Sequence, residues 1–273
     1  MTASRNDAGP VERGWDEAAL GYDAYFAPRF APYLGAAIGA LTTYAAQRGL
    51  PEGALLVPCV GPGRELTPLA HAFPGRAIIG SDLSTQMVTL ASDRTRHLPN
   101  VTVERADALQ LSAPASGVAA LFSVFGLQLL PEPVLALRSW LGLLNAGGVA
   151  VIVYWPRDTE PTGPFFSMHQ ALREAGIQDR SWEAELVRDL PKQCVVQADV
   201  PVQFELSYEN ARSVWQALTE LGPLRALANA RGPELIVALG ERFVREQPAG
   251  PLTHTPEARL LVITRAGLRA AAH

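Results

Sequence analysis

The sequence predicts an α/β protein built on a doubly wound, mostly parallel sheet. Short apolar runs of strand length alternate with helical segments between residues 54 and 155, which is the pattern of repeated βαβ units. Turns that contain glycine or end in an acid follow several of these apolar runs. Because parallel strands present their carboxyl ends at one edge of the sheet, we expect a ligand site along that edge.

The first predicted strand, Ala54–Val57, leads into a glycine turn. Gly61 and Gly63 lack a Cβ atom, so the backbone can bend tightly there or approach a ligand closely. The helix that we expect from about Arg64 directs unpaired amide donors and a positive dipole end towards the turn. This arrangement suits a small anionic group, although an ordinary tight βα loop has the same pattern.

A second apolar run, Ala77–Asp82, ends in a carboxylate 21 residues after Gly61. In a βαβ unit this acid lies at the carboxyl end of the neighbouring strand, where it can accept both hydroxyls of a ribose. Dinucleotide dehydrogenases share the arrangement but need a third glycine, and Leu66 occupies that position. An NAD-dependent oxidoreductase is therefore the less favoured interpretation.

The third predicted strand, from Val101, ends in Asp107-Ala108, and a fourth strand follows at Val118–Val124. With these motifs in order, residues 15–155 resemble the class I S-adenosylmethionine-dependent methyltransferases, in particular the ubiquinone/menaquinone-biosynthesis-like group. The resemblance implies a seven-stranded, Rossmann-like sheet. It also implies S-adenosyl-L-methionine as the cofactor and a small-molecule acceptor as the substrate.

The resemblance also assigns roles to residues along the predicted edge. The glycine turn faces the methionine end of the cofactor, Asp82 holds the ribose and Asp107 meets the adenine amino group. An N-terminal segment folds over the cofactor and presents a tyrosine hydroxyl. The predicted cofactor-binding residues are Tyr22, Tyr25, Cys59, Gly61, Pro62, Gly63, Asp82, Leu83, Met87, Asp107, Ala108, Ser123, Val124 and Phe125.

The chain departs from the family's D-x-G-x-G-x-G signature at two positions. Val57 stands where the family has its acid, and Cys59 stands at the first glycine. Loss of the acid removes a contact expected near the cofactor's amino group. A binding or assembly protein that keeps the fold without methylating therefore remains an alternative.

Two residues are candidates for contact with the substrate. His169 follows the loop after the fifth strand and is the best-placed histidine for a general base, with a structural helix residue as the alternative. Gln128 lies just past the fourth strand and can hydrogen-bond a substrate, or simply lie at the surface. Because the segment 125–128 lacks the acid that metal-dependent catechol methyltransferases place there, we predict no metal site.

The composition indicates what kind of protein this is and argues against some kinds of partner. Apolar content of 48% and charged content of 18% are typical of a globular protein with a sizeable core. A net charge of −4 argues against nucleic-acid binding, which needs a basic face. The longest nearly apolar run, 117–130, is too short to span a bilayer, and no signal-peptide core begins the chain. We therefore expect a cytoplasmic protein with two free thiols, Cys59 and Cys194.

The remaining elements follow from periodicity and from proline and glycine positions. We expect helices at 29–47, at 86–96 with Ser84 as cap, and from Pro131 or Pro133 to Leu144, and then a fifth strand at 149–155. Beyond it we expect helices at 165–175, 181–190, 209–221 and 233–244, and strands at 195–206 and 259–264.

These elements predict one domain at 14–273, preceded by disordered residues 1–13. Its parts are a helical cap at 14–50, a cofactor-binding core at 51–156, a lid with the sixth strand at 157–257, and a final strand and tail at 258–273. The lid helices are thus inserted before the last strand. No internal repeat divides the chain.

Overall fold

A computed structural model describes residues 9–174, 182–188, 190–219 and 221–267. Its strands are β1 (Ala54–Pro58), β2 (Ile78–Asp82), β3 (Val101–Arg105), β4 (Val118–Val124), β5 (Leu144–Tyr154), β6 (Cys194–Gln203), β7 (Leu206–Tyr208), β8 (Leu252–His254) and β9 (Glu257–Arg265). Its helices are α1 (Pro10–Arg29), α2 (Ala31–Arg48), α3 (Leu66–Ala72), α4 (Thr85–Thr95), α5 (Pro133–Leu143), α6 (Pro164–Glu174), α7 (Glu183–Leu186), α8 (Ala211–Thr219), α9 (Gly222–Arg231) and α10 (Pro233–Glu246). A short 3-10 helix covers Leu127–Leu129.

Seven strands form the central sheet in the order β3-β2-β1-β4-β5-β9-β6, and β7 pairs with β8 in a separate small sheet. The four neighbouring pairs from β3 to β5 are parallel, whereas β9 is antiparallel to both β5 and β6. The predicted doubly wound, mostly parallel seven-stranded sheet is confirmed. Chain order reverses between β1 and β4, so the carboxyl ends of these strands border a crevice of the kind that binds ligands.

The strands nearest the crevice are buried on both faces. All five residues of β1, and all of β4 except Val124, are buried. Strands covered on both sides read as continuous apolar runs, which explains why the sequence predicted them well. By contrast, β6 lies at the sheet edge and is mostly exposed, with more and less exposed residues alternating over 194–199, and Pro201 is tolerated at this edge as predicted.

Most predicted helices are present with small shifts at their ends. The Ser84 cap is confirmed, because its hydroxyl accepts a hydrogen bond from the Met87 amide at 3.1 Å. The helix after the glycine turn begins at Leu66 rather than Arg64. Of the helix predicted at 181–190, only Glu183–Leu186 is helical among the described residues. The predicted tail beyond residue 267 lies outside the described residues.

The largest differences concern the N-terminus and the inserted helices. Helix α1 begins at Pro10, a favoured first helical residue, so residues 10–13 are helical and not disordered; residues 1–8 lie outside the described residues. Helix α9 was not predicted, and it packs closely along α1. Gly222 permits this approach, since a Cβ there would meet the Trp15 ring at 2.2 Å.

Helices α8, α9 and α10 lie in the chain between the last two strands of the central sheet, as predicted. We call them the inserted helices. They bury Val214, Leu218, Leu224 and Phe243 against the rest of the protein. Within the described ranges, the longest helices are not apolar enough to cross a membrane.

Candidate functional site

A cavity of about 230 Å³ opens at the carboxyl ends of β1, β2 and β4, and we call it the carboxyl-edge cavity. Ten of the fourteen predicted cofactor-binding residues line it: Tyr22, Cys59, Gly61, Asp82, Leu83, Met87, Asp107, Ala108, Val124 and Phe125. The sequence placed these residues at the ends of different strands. The structure brings them together because parallel strands end at one edge.

Asp82 lies at the end of β2 and faces both the cavity and the glycine turn. Its Oδ2 accepts a hydrogen bond from the Gly61 amide at 2.8 Å, and its Oδ1 accepts one from the Ser84 amide at 3.0 Å. Burial raises the pKa of this carboxyl above its usual range, while these amide hydrogen bonds oppose the shift. Each oxygen keeps a second lone pair, so the carboxylate can still accept ligand hydroxyls.

Asp107, beyond the neighbouring strand β3, lines the same cavity. Its Oδ1 accepts from the Leu109 amide at 2.9 Å, which fixes the acidic turn after β3. The next carbonyl, of Ala108, accepts from the buried Trp140 indole at 2.7 Å. Two independent hydrogen bonds therefore hold this turn in place beneath the cavity.

Two residues of the cavity wall adopt left-handed backbone conformations. Cys59 has φ 54° and Phe125 has φ 60°, immediately beyond β1 and near the end of β4. Such non-glycine residues cost of order 1–3 kcal/mol each and cluster at ligand sites. The bend at Phe125 lays its ring on the Trp155 indole, with centroids 4.3 Å apart and planes at 7°. Burial raises the pKa of the Cys59 thiol well above its usual range, so this thiol stays neutral.

Four predicted cofactor residues lie elsewhere. Tyr25 points to the inserted helices, because its ring stacks on Tyr208 and its hydroxyl donates to the Ser213 carbonyl at 3.4 Å. Ser123 is buried and donates to the Pro58 carbonyl at 3.2 Å. Gly63 is needed for packing, since a Cβ there would meet the Ala91 Cβ at 2.7 Å. The fourth, Pro62, lines a separate small cavity beside the turn.

Helix α1 closes the outer side of the carboxyl-edge cavity with Val11, Trp15 and Tyr22. Its Asp16 acts as an additional cap for α4, accepting from the Ser84 hydroxyl and from the Gln86 amide at 3.0 Å. These contacts fix α1 over the side of the cavity at which β2 ends.

A second group of contacts ties the other end of α1 to the glycine turn. Asp23 forms ion pairs with Arg64 at 2.7 Å and with Arg94 at 2.8 Å. Arg94 also donates to the Pro62 carbonyl. Because one acid bridges two arginines at the turn, α1 and the turn are held as a unit.

A second cavity, of about 110 Å³, adjoins the first, and we call it the aromatic cavity. It shares Trp15, Tyr22, Phe125 and Leu129 with the carboxyl-edge cavity. Its remaining walls come from α1, the segments after β4 and β5, α6 and the inserted helices. Apolar and aromatic side chains dominate, which is typical of small-molecule sites.

Both predicted substrate-contacting residues line the aromatic cavity. His169 is only 5% exposed. The Gln128 side-chain Nε2 donates to the Phe125 carbonyl at 2.7 Å, which fixes the amide orientation. Its Oε1 is buried and lacks a hydrogen-bond partner within the described part of the chain. A buried acceptor without a partner is costly, and a ligand hydroxyl or N–H would satisfy it.

Sequence reasoning missed several residues of the site. Trp155, Phe165, Leu218 and Leu224 line the aromatic cavity, but they read in the sequence as ordinary core positions. Glu65 was also overlooked: this acid lies directly beyond the glycine turn and is 8% exposed. Its place directly beyond the second glycine of the turn was the signal that could have revealed it.

Comparison with known proteins agrees with this geometry. Residues 56–148 match the family model described as "Methyltransferase domain". The demethylmenaquinone methyltransferase of Staphylococcus carnosus is 29% identical over 99 residues, which are 36% of this chain. The chain spans only 40% of that relative's length.

Among solved structures, the YcgJ protein of Bacillus subtilis matches with a TM-score of 0.55 at 17% identity, over 86% of this chain and 100% of that one. The cyclase SpnF matches with a TM-score of 0.51 at 21% identity, over 84% and 81%. At these identities the structural matches establish the fold alone.

Residues 56–148 therefore match a methyltransferase domain, and the surrounding sheet has the seven-stranded, Rossmann-like fold of the class I methyltransferases that the sequence resemblance indicated. Within that class, its curated relatives include demethylmenaquinone methyltransferases. The residues present fit S-adenosylmethionine, because two acids face the carboxyl-edge cavity where ribose and adenine need acceptors. A Cβ added at Gly61, where φ is 52°, would meet no atom of the described residues within 4 Å, so the turn has open space for a ligand.

Proposed function

We propose that this protein transfers a methyl group from S-adenosylmethionine to a small, largely apolar acceptor. The observation that carries the proposal is that the two cavities adjoin and share part of their walls. An acidic cavity fitted to a nucleoside shares four wall residues with an aromatic cavity that contains His169 and Gln128. A donor in the first cavity would therefore face an acceptor in the second.

The chain's own residues would align the reactants and exclude water, which are the main requirements of an in-line displacement. When bound, the cofactor supplies a methyl group activated by an adjacent sulfonium. The stacked Phe125 and Trp155 rings would exclude water where the two cavities adjoin. Gln128 Oε1 would accept a hydrogen bond from the acceptor, and His169 would remove its proton. The inserted helices would act as the lid.

The lining of the aromatic cavity supports a flat, apolar acceptor with one hydroxyl or N–H group. Such a molecule would bury its rings against the aromatic walls and satisfy Gln128. The name of the Staphylococcus carnosus relative gives demethylmenaquinone as that protein's acceptor. An aromatic acceptor of this general kind is therefore our proposed substrate class.

The identity of the cofactor is tested by measuring the melting temperature with and without S-adenosylhomocysteine, the product of methyl transfer. S-adenosylhomocysteine at 100 times its Kd should stabilise the protein by about 2.7 kcal/mol. For a chain of this size the melting temperature should rise by about 5–10 °C. NAD at the same concentration is the control. A rise with NAD and none with S-adenosylhomocysteine would favour the oxidoreductase interpretation.

The contribution of Asp82 is tested by Asp82→Ala. Charge-assisted hydrogen bonds to ribose hydroxyls contribute about 1.5–3 kcal/mol each, so S-adenosylhomocysteine should bind at least tenfold more weakly by titration calorimetry. The variant also loses the acceptor for the Gly61 amide, so its melting temperature must be measured alongside. Asp93→Ala, at an exposed acid on α4, should bind as the wild type does. Unchanged affinity in Asp82→Ala would mean that the ribose is held elsewhere.

A non-methylating role on the same fold is the second candidate. It is supported by Val57 and Cys59, which replace the signature acid and glycine, and by the structural likeness to a protein described as a cyclase. Incubating the protein and cell extract with methyl-labelled cofactor separates the two. A labelled product seen by mass spectrometry supports methyl transfer, whereas tight cofactor binding without any labelled product supports the alternative.

A further inference from the structure

Glu65 is an acid for which the proposed chemistry has so far given no role. It precedes α3, directly beyond the glycine turn, and its side chain is only 8% exposed. It lines a cavity of about 60 Å³, which we call the turn cavity, together with Tyr22, Cys59 and Gly61. These three residues also line the carboxyl-edge cavity, so the two spaces meet at the turn.

The Glu65 carboxyl has no counter-ion among the residues that the structure describes. Arg64 and Arg94 are the cations nearest to the turn, and both form their ion pairs with Asp23 instead. Burying a carboxylate without a cation is costly, so such a group either stays protonated or receives a cation from a ligand.

The surroundings of Glu65 keep it protonated in the ligand-free protein. Burial raises its pKa to about 8, its own backbone amide opposes the shift, and the charge on Asp82 adds to it. Arg94 opposes the shift more weakly. The other groups facing the turn are the Tyr22 hydroxyl and the Cys59 thiol; burial raises the pKa of each, so both stay neutral, and neither side chain can carry a positive charge.

Position 57 is the second observation. The related signature has an acid there, but Val57 is completely buried in the apolar core and offers no charge. Glu65 lies on the open side of the same turn, eight residues further along the chain. The carboxylate that the signature places before the turn is therefore missing at Val57. A carboxyl without an ion pair is present beyond the turn, at Glu65.

We propose that Glu65 takes over the place of the missing acid and binds the α-ammonium group of the cofactor's methionine portion. The inference rests on the proposed use of S-adenosylmethionine and goes beyond it by assigning this contact. The ammonium is the suitable cation, because the sulfonium must face the aromatic cavity and Glu65 does not line that cavity. On binding, the carboxyl releases its proton to solvent and the resulting carboxylate pairs with the ammonium.

Two ligands that differ only in the amino-acid portion provide the test. S-adenosylhomocysteine carries the ammonium, whereas methylthioadenosine has the same nucleoside and sulfur without it. In titration calorimetry, Glu65→Gln should weaken binding of S-adenosylhomocysteine by about tenfold to a hundredfold, the effect of a charge-assisted hydrogen bond. Binding of methylthioadenosine should change by less than about twofold. Glu52→Gln, at an exposed acid away from the turn, should affect neither ligand.

Proton release gives a readout that a merely structural glutamate would not produce. Wild-type protein at pH 7 should release about one more proton on binding S-adenosylhomocysteine than on binding methylthioadenosine, measured in buffers of different ionisation enthalpy. Asp82 would contact both ligands through the ribose, so its contribution cancels in the difference. In Glu65→Gln the difference should disappear. Affinity of the wild type for S-adenosylhomocysteine should accordingly increase as the pH rises towards 8.

The stability of the empty protein provides an internal check on folding. A carboxyl whose folded pKa is raised contributes stability below its unfolded pKa and loses it as the pH rises from there to the folded value of about 8. Glu65→Gln should therefore melt like the wild type near pH 4 and at a higher temperature than the wild type at pH 8.

The outcomes separate this inference from the proposed function. Equal affinity of wild type and Glu65→Gln for S-adenosylhomocysteine would overturn the inference and leave the function standing. Equal losses for both ligands would also overturn it, because Glu65 would then only shape the turn. If neither ligand binds the wild type, the proposed function itself fails.

Discussion

Replacing His169 by glutamine should lower kcat by about 10²–10⁴, the usual contribution of a general base. His169 is buried in the wall of the aromatic cavity, on the same side of α6 as Phe165, Met168 and Leu172. In the proposed reaction a hydroxyl or N–H acceptor loses a proton as it is methylated, and among the described residues that line this cavity His169 is the histidine. Steady-state methyl transfer to the acceptor identified by mass spectrometry measures the effect.

The pH dependence of kcat distinguishes a base from a packing residue. A histidine base gives the wild type an acid limb, on which kcat falls as the base becomes protonated, and this limb should vanish in His169→Gln. His71→Gln is the matched control, because His71 is an exposed helix histidine remote from the cavity. If His169→Gln keeps the full rate and the limb, transfer depends on alignment alone.

Replacing Glu160 by alanine should destabilise the protein by about 3–5 kcal/mol, because it removes the acceptor of several buried hydrogen bonds and each buried donor left unsatisfied costs about 1–3 kcal/mol. Glu160 follows β5, and its Oε2 lies 2.7 Å from His254 Nδ1, with both side chains at most 6% exposed. Its Oε1 accepts from the Phe165 and Phe166 amides at 2.7 and 3.2 Å, at the start of α6. One carboxylate thus joins the helix that carries His169 to strand β8.

Urea denaturation of two further variants separates charge from packing. Glu160→Gln keeps an acceptor for the two amides and should lose less stability than Glu160→Ala. Glu241→Ala, at an exposed position on α10, should stay within about 0.5 kcal/mol of the wild type. A loss below about 1 kcal/mol in Glu160→Ala would show that the pair does not hold β8 against α6.

The hydrogen bonds of Glu160 also link the stability of the protein to the proposed chemistry. Gly163, with φ 114°, lets the loop turn so tightly that a Cβ there would lie 2.8 Å from Glu160 Oε1. The loop therefore presents the first turn of α6, and with it Phe165, to the aromatic cavity in one orientation. Variants at Glu160 should for this reason be assayed for activity only at temperatures where they remain folded.

The sequence by itself determined the sheet and the acidic end of the site. Strands β1 and β4 and residues 149–154 of β5 are apolar runs because both faces of the sheet are covered there, so their composition alone reveals them. Asp82 ends β2 and Asp107 lies two residues beyond β3, and chain connectivity brings both onto the same edge. The number of strands and the role predicted for Asp107 came from the resemblance to the class I methyltransferases.

Only the tertiary structure decided which way the side chains of α1 point and which charges surround the glycine turn. Tyr22 and Tyr25 are one helical turn apart and chemically equivalent in the sequence, yet Tyr22 lines the cavities while Tyr25 stacks on Tyr208. That choice depends on α9 and β7, which reach α1 from about two hundred residues away in the chain. Glu65 shows the same limit, because its burial without a counter-ion results from Asp23 occupying both nearby arginines. Contacts between distant segments leave no periodic signal, so packing alone fixes them.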